Sequence, residues 1–256
     1  MFKNVFLEIE YDGTSYFGWQ VQNKKSPVTG YKSQVKKTIQ GELQKALRIL
    51  FNKKIKVVYA GRTDTGVHAK GQCVNFKIET KIPLKNIKAA VNSFLPLDIS
   101  IKKIKKVPLD FHARFNVKSK VYRYIIYNKK RPCVFNRNHA WYLPDKIDLA
   151  KVKKAIPKIA GQRDFSCFVK EARRYESCIR QIKAISVRKR GGFLYIDIEA
   201  DGFLRNMVRN IVSLLVRIGR DKVSLKNVNK IIKKELPYAN KPAPSCGLYL
   251  YKVNYE

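Results

Sequence analysis

Tyr59-Ala60-Gly61-Arg62-Thr63-Asp64-Thr65-Gly66-Val67-His68-Ala69-Lys70-Gly71-Gln72 joins two runs of different pattern. The apolar run Ile55 to Tyr59 precedes it, and the alternating run Gln72, Cys73, Val74, Asn75, Phe76, Lys77, Ile78 follows it. Alternation of period two marks a strand with one buried face, so the stretch reads as a loop between two strands. Gly61 and Gly66 allow backbone angles closed to other residues, which lets them hold the loop tightly and admit a partner close to its main chain. Asp64, between them, is presented rather than buried. A bland alternative stands beside this one: Thr63-Asp64-Thr65-Gly66 also has the composition of an Asx-type turn, whose carboxylate only caps backbone amides.

Working outward, Val5, Phe6, Leu7, Ile9 and Tyr11 form a strand that stops at the turn pair Asp12-Gly13, and Tyr16, Phe17 and Trp19 follow as core or as a partner-facing aromatic cluster. Asn23 to Lys37 holds five lysines, Pro27 and Gly30 and reads as a loop, either solvated or laid along a polyanion backbone. Thr38 is placed to cap a helix whose inner face is Ile39, Leu43, Ala46, Leu47 and Leu50. Leu84 to Phe94 repeats the pattern with Ile87, Ala90, Val91 and Phe94 inward, and Ile99 to Val107 is the next strand. Phe111 to Phe115 crosses to the second half, where His112 and Arg114 make structural contacts.

Val121 to Tyr127 is a strand with Tyr122, Tyr124 and Ile126 on one face. Asp148 to Ile159 is amphipathic, Phe165 to Val169 is a short strand, and Ile182 to Val187 pairs with Phe193 to Ile198 across Arg190-Gly191-Gly192. Phe203 to Ile218 is helical with a wide apolar stripe, ended by Gly219. Val223 to Lys234 is a further helix, and Leu248 to Val253 is the last strand. Periodicity thus gives a mixed α+β chain in two similar halves without a low-complexity linker, residues 1–110 and 111–256.

The formal charge is +35, from 54 Lys and Arg against 19 Asp and Glu, far beyond what solubility needs. A field of that sign gathers polyanions, and a nucleic acid is the expected partner. No 18-residue apolar run, signal-peptide pattern or lipidation motif favours a membrane, so the expected location is cytoplasmic. The five cysteines are scattered, odd in number and never in a C-x-x-C pair, and they read as small, reduced, buried residues. Three histidines in separate segments give zinc no ligand set, and no metal or cofactor is expected.

Gly61-Arg62-Thr63-Asp64-Thr65-Gly66-Val67-His68-Ala69 resembles the catalytic-aspartate motif of the tRNA pseudouridine synthase A (TruA) family. Glu10-Tyr11-Asp12-Gly13 with Gly18-Trp19-Gln20, then Phe111-His112-Ala113-Arg114-Phe115, Tyr122-Arg123-Tyr124, Met207-Val208-Arg209-Asn210 and Gly247-Leu248-Tyr249-Leu250 resemble further family motifs in family order. Thr65 stands at a variable motif position, and the Asn23 to Lys37 loop is longer than the family's pattern. The resemblance implies two ferredoxin-like subdomains with joined antiparallel sheets and a basic central cleft, a homodimer, and isomerisation of uridine to pseudouridine at positions 38, 39 and 40 of the tRNA anticodon stem-loop. Asp64 is then the catalytic carboxylate, acting as nucleophile or base, and Arg209 the guanidinium that keeps it ionised and oriented. Tyr122 stacks on the flipped uracil, Arg62 fills the vacated space or holds a phosphate, and Leu248 packs against the pocket.

Such a reaction breaks the N-glycosidic bond, turns the base and rejoins it through carbon 5, so a carboxylate suffices without an outside reagent. Two other classes remain open on sequence alone. Charge and aromatics support a non-catalytic RNA-binding protein equally, and a paralogue acting on other tRNA or RNA uridines fits the same motifs. A two-metal nuclease would need clustered carboxylates, which the acid-poor surroundings of Asp64 do not supply.

Overall fold

The apolar periods of the sequence are realised in two units, Met1–Val117 with Tyr255–Glu256, and Lys118–Asn254. The structure is a computed structural model that describes residues 2–21, 37–169, 171–238 and 241–255. Apart from Lys37, the lysine-rich stretch Asn23 to Lys37 lies outside the described residues.

The first unit runs β1 (Phe2–Tyr11), α1 (Ile39–Phe51), β2 (Val58–Tyr59), β3 (His68–Glu79), α2 (Leu84–Phe94), β4 (Ile99–Val107). Its strands are antiparallel in the order β4-β1-β3-β2, with Val5 opposite Phe76 and Leu7 opposite Val74. Thr38 caps α1 as expected, its side chain accepting from Gly41 N at 3.2 Å, which satisfies an amide that the helix leaves orphaned. Ile39, Leu43, Ala46 and Leu47 are buried beneath it. α2 buries Ile87 and Val91, whereas Phe94, expected inward, is exposed. The helix ends there, and the following Leu95 turns into the core in its place.

Phe111 to Phe115 is fastened to this sheet by a buried polar pair. Asn75 accepts from Ala113 N at 2.8 Å and donates to Asn4 Oδ1 at 2.9 Å, while Asn4 donates to the carbonyls of Pro108 and Phe111. His112 does act structurally: its Nδ1 accepts from Arg114 N and Phe115 N, and its ring stacks on Phe115 at 4.2 Å.

The second unit runs β5 (Ser119–Tyr127), β6 (Trp141–Tyr142), α3 (Leu149–Ile159), β7 (Gly161–Asp164), β8 (Ile179–Arg190), β9 (Phe193–Ala200), α4 (Met207–Gly219), α5 (Asn227–Ile232), β10 (Leu248–Asn254). The strand order β10-β5-β9-β8-β7 contains, in its first four members, the same arrangement as the first unit. A strand, a helix, two hairpin strands, a helix and a strand in that order make each unit ferredoxin-like. β8 and β9 turn at Gly191-Gly192, with Arg190 opposite Phe193. Tyr122, Tyr124 and Ile126 share the buried face of β5.

Four local expectations are corrected. Phe165 to Val169 is not a strand: Ser166–Phe168 form a 3-10 turn, because Asp164 accepts from Ser166 N at 2.8 Å and Phe165 and Phe168, three apart, are both buried. α4 begins at Met207 rather than Phe203, since Asn206 takes the left-handed conformation (φ 62°) and breaks the helix there. Gly219 is the last helical residue rather than a left-handed cap. A Cβ on it would come within 2.6 Å of Ile147 and 2.9 Å of Val152, so its small size lets α4 approach the start of α3. The helix foreseen from Val223 to Lys234 is shorter, Asn227–Ile232.

All five cysteines are free thiols, but only Cys73 is fully buried, and burial pushes its pKa up to about 12. Among the described residues no helix is long and apolar enough to cross a membrane.

Candidate active site

The loop that carries Asp64 is held by main chain against main chain. Trp19 N donates to Thr63 O at 3.1 Å and Gly66 N to Tyr16 O at 3.3 Å, so the turn after β1 clasps the loop from one side. The approach is too close for side chains. A Cβ on Gly18, itself at φ +83°, would lie 2.4 Å from Thr63 O, and one on Gly13 would lie 2.0 Å from Val67 O. This gives a physical reason for glycine in both motifs before Trp19.

Further bonds fix the loop from below. Thr63 is buried, its Oγ1 2.8 Å from the Tyr11 hydroxyl, and Gln72 Nε2 donates to Gly61 O at 2.6 Å. Burial pushes the Tyr11 hydroxyl up, so it stays protonated and able to bond. Val67 N closes a four-residue turn on Asp64 O at 3.1 Å with Gly66 at φ +73°, the angle a type II turn requires at its third residue. Gly61, expected to need such freedom, is not among the residues with positive φ. His68 is buried and its Nδ1 accepts from Gly13 N at 3.1 Å; Asp12 Oδ1 is also 3.1 Å from that nitrogen, which can donate to it only by giving up the Gly13 contact.

Asp64 itself is half-buried. Among the described residues of its unit no hydrogen bond or ion pair engages the carboxylate, which removes the support for a turn-capping role. The contrast with aspartates that do cap is direct: Asp12 accepts from Thr14 N at 2.9 Å and Asp148 from Ala150 N at 2.9 Å. A rigid backbone thus presents a carboxylate that its own fold does not use. Arg62, two residues earlier, is exposed, and its Nε donates to the Tyr59 hydroxyl at 3.1 Å.

In the second unit Arg209 lies in the first turn of α4. A cation there opposes the positive end of the helix dipole, and no acidic residue in that turn compensates it. Its guanidinium is aimed by two bonds, Nε to Ala243 O at 2.5 Å and Nη1 to Asn206 Oδ1 at 3.1 Å, while Ala243 N bonds back to Arg209 O at 3.2 Å. Nη2 has no partner in the unit among the described residues, so the open edge of the fork suits an anion. Asn206 and Ala243 are the supporting residues that sequence reading missed. An asparagine just before the helical stripe was the available signal, since asparagine tolerates the left-handed conformation.

Tyr122 is buried on β5 with its ring edge against Phe203 at 5.0 Å. Leu248 opens β10 opposite Tyr124 and is likewise buried, on the same face of the neighbouring strand as Tyr122. The structure therefore groups Asp64 with Arg62 on one loop of the first unit, and places Tyr122, Leu248 and Arg209 in the second.

A protein-family model described as tRNA pseudouridine synthase matches residues 8–116 and 155–256. The chain is 41% identical to a tRNA pseudouridine synthase A of Thermoanaerobacter sp. (strain X514) over 99% of this chain and 100% of that one. It is 37% identical to the tRNA pseudouridine synthase A of Pseudothermotoga lettingae over 99% of this chain and 100% of that one. A solved H/ACA ribonucleoprotein bound to a substrate RNA shows a looser likeness, with TM-score 0.35 and 11% identity over 83% of this chain and 53% of that one, too low to argue from. Matched along its whole length, the chain belongs to the tRNA pseudouridine synthase A family, enzymes that isomerise uridine to pseudouridine.

Proposed function

We propose that the enzyme acts on uridines 38, 39 and 40 of the tRNA anticodon stem-loop, as a cytoplasmic homodimer, with Asp64 starting the reaction. The observation that carries the role of Asp64 is its loop: a backbone pinned at Gly61, Thr63, Asp64 and Gly66 offers a carboxylate that no described residue of its unit engages. The isomerisation breaks the bond from N1 to C1′ and forms one from C5 to C1′, while C5 loses a proton and N1 gains one. No co-reactant enters the balance, so positioning one carboxylate is the central task. Asp64 does this either as nucleophile toward an electron-poor carbon or as base at the sugar 2′ carbon.

The target uridine first leaves the stack, at a cost of a few kcal/mol that stacking in the pocket offsets. In this proposal Tyr122 is the stacking ring, Arg62 takes the vacated space or a phosphate, and Leu248 packs against the pocket wall. Arg209 offers the open edge of its guanidinium to an anion of the reacting complex. Recognition rests on shape, phosphates and 2′-hydroxyls, since a stem offers side chains little sequence to read.

Tritium released from carbon 5 of labelled uridine measures the reaction directly. A tRNA transcript with cytidine at positions 38 to 40 is expected to release none, and undiminished release would move the target elsewhere. In the same assay Arg209→Lys is expected to lower the saturating rate ~10- to 100-fold, because lysine keeps the charge but loses the fork. Asn206→Gly keeps the left-handed backbone and removes only the aiming bond, so a smaller fall of roughly 3- to 10-fold in rate, with KM unchanged, is expected. Unaltered rates in both would make Arg209 a backbone-phosphate contact. Tyr122→Phe is expected to lose about 100-fold in rate if the hydroxyl moves a proton, whereas a retained rate leaves stacking alone.

A further inference from the structure

Phe135 is 92% exposed and its neighbour Val134 63%. Both stand on the connection between β5 and β6, and a whole phenyl ring left in water forgoes the free energy of burial. The connection is built to keep it there. Arg137 N and Nη1 both donate to Val134 O, His139 N and Ala140 N to Asn136 O, Asn136 Nδ2 to Cys133 Sγ, and the Tyr142 hydroxyl to Lys130 O. At its base Asn128 Nδ2 reaches the carbonyls of Leu143 and Asp145, each at 2.7 Å. Main-chain and side-chain hydrogen bonds on both sides of Phe135 thus fix the connection that carries the ring.

The charge around the ring has one sign. From Asn128 to Pro144 the chain carries Lys129, Lys130, Arg131 and Arg137 and no Asp or Glu, and all four cations are exposed. The next acidic residue, Asp145, is already paired with Arg220 at 3.0 Å. Lys129 lays its stem on Gly192 at the β8–β9 turn, where an added Cβ would meet Lys129 Cε at 2.3 Å. Tyr127, where the loop leaves β5, is about 17 Å along the strand from Tyr122, and the far end of the loop returns to β10, where the Tyr249 hydroxyl donates to His139 O at 2.8 Å.

We propose that Phe135 is a stacking platform for an unpaired base of the bound RNA, with Lys129, Lys130, Arg131 and Arg137 holding the flanking phosphates. Every base offers a face to an aromatic ring, and the cations supply the affinity that stacking alone lacks. A second copy of this chain fits less well as the occupant, because 54 basic residues against 19 acidic ones leave little negative surface to meet four cations. The proposal rests on the reading that the substrate is a tRNA, and it adds an RNA contact besides those to the reacting uridine.

Filter binding of full-length tRNA at fixed salt tests it with wild type, Phe135→Ala, Phe135→Trp and the double variant Lys130→Ser/Arg131→Ser. Phe135→Ala is expected to bind about tenfold more weakly, equivalent to ~1.4 kcal/mol of stacking, with Phe135→Trp restoring affinity. The double variant should bind more weakly and with a salt slope shallower by about one to two. Thermal midpoints should stay within about 2 °C of wild type in all variants, since every altered side chain is exposed. Equal tRNA affinity of Phe135→Ala and wild type overturns the proposal, as does a dimer in wild type that Phe135→Ala converts to monomer, which would assign the ring to a second copy. Because binding is read without turnover, a wild type that binds tRNA yet forms no pseudouridine would end the functional reading and leave this comparison decisive.

Discussion

Asp64→Asn is expected to bind tRNA as wild type does and to release no measurable tritium from carbon 5, a loss on the order of 10⁴-fold or more. An amide has the shape of the carboxylate but neither attacks a carbon nor takes a proton at neutral pH. The structure adds a second half to the expectation. Because no bond among the described residues of the unit engages the Asp64 carboxylate, while the loop backbone is fixed through Thr63, Gly61 and Gly66, the substitution removes no structural contact there. The thermal midpoint should therefore move by less than about 2 °C. Residual activity within about tenfold of wild type would remove Asp64 from the chemistry. A large drop in stability would return it to the turn-capping role that Asp12 and Asp148 fill elsewhere.

The second large effect falls on a residue without a functional group. In Gly18→Ala the new methyl would sit 2.4 Å from Thr63 O and 3.0 Å from the Asp64 carbonyl carbon, and both are main-chain atoms that cannot swing aside. The residue also sits at φ +83°, where a side chain is strained. Together these should cost roughly 3 kcal/mol of stability and push the loop outward. A displacement near 1 Å at a reacting group lowers rate by about 100-fold, so the saturating rate should fall by that order even at temperatures where the variant is folded. Gly161→Ala is the matched control, with φ +92° and nothing within 4 Å of the added Cβ. It should show a stability loss of ~1 kcal/mol from strain and an unaltered rate. If Gly18→Ala behaves like Gly161→Ala, the clasp does not position Asp64.

These two residues also mark how far the sequence could be read. The elements with a sustained period were legible: α1 with its Thr38 cap, α2, β4 and the β8–β9 hairpin stand where apolar spacing placed them. Period alone failed where a local bond competed. Apolar residues at 203 and 204 continue the stripe of α4, yet Asn206 turns the chain before Met207, and the Asp164 carboxylate converts a foreseen strand at Phe165 into a 3-10 turn. Gly219 stops short of capping because its task is contact with Ile147 and Val152, residues far away in sequence.

At the candidate site, the motif around Asp64 singled out this loop, but the reason for its rigidity did not lie in the motif. Gly13 and Gly18 matter because they meet Val67 and Thr63 across about fifty residues of chain, and such a meeting leaves no periodic trace. Arg209 was legible as a motif residue, whereas its support from Ala243 O required knowing that the segment before β10 returns to the first turn of α4. Phe135 carried no signal at all, since an isolated aromatic among lysines reads as core until its exposure is seen.

The most direct measurement is pseudouridine mapping, nucleotide by nucleotide, on bulk tRNA incubated with wild type and with Asp64→Ala. The account predicts new pseudouridine in the wild-type sample at positions 38 to 40 of the anticodon stem-loop, and none in the Asp64→Ala sample although that variant still binds tRNA. Pseudouridine formed equally by both proteins would contradict it.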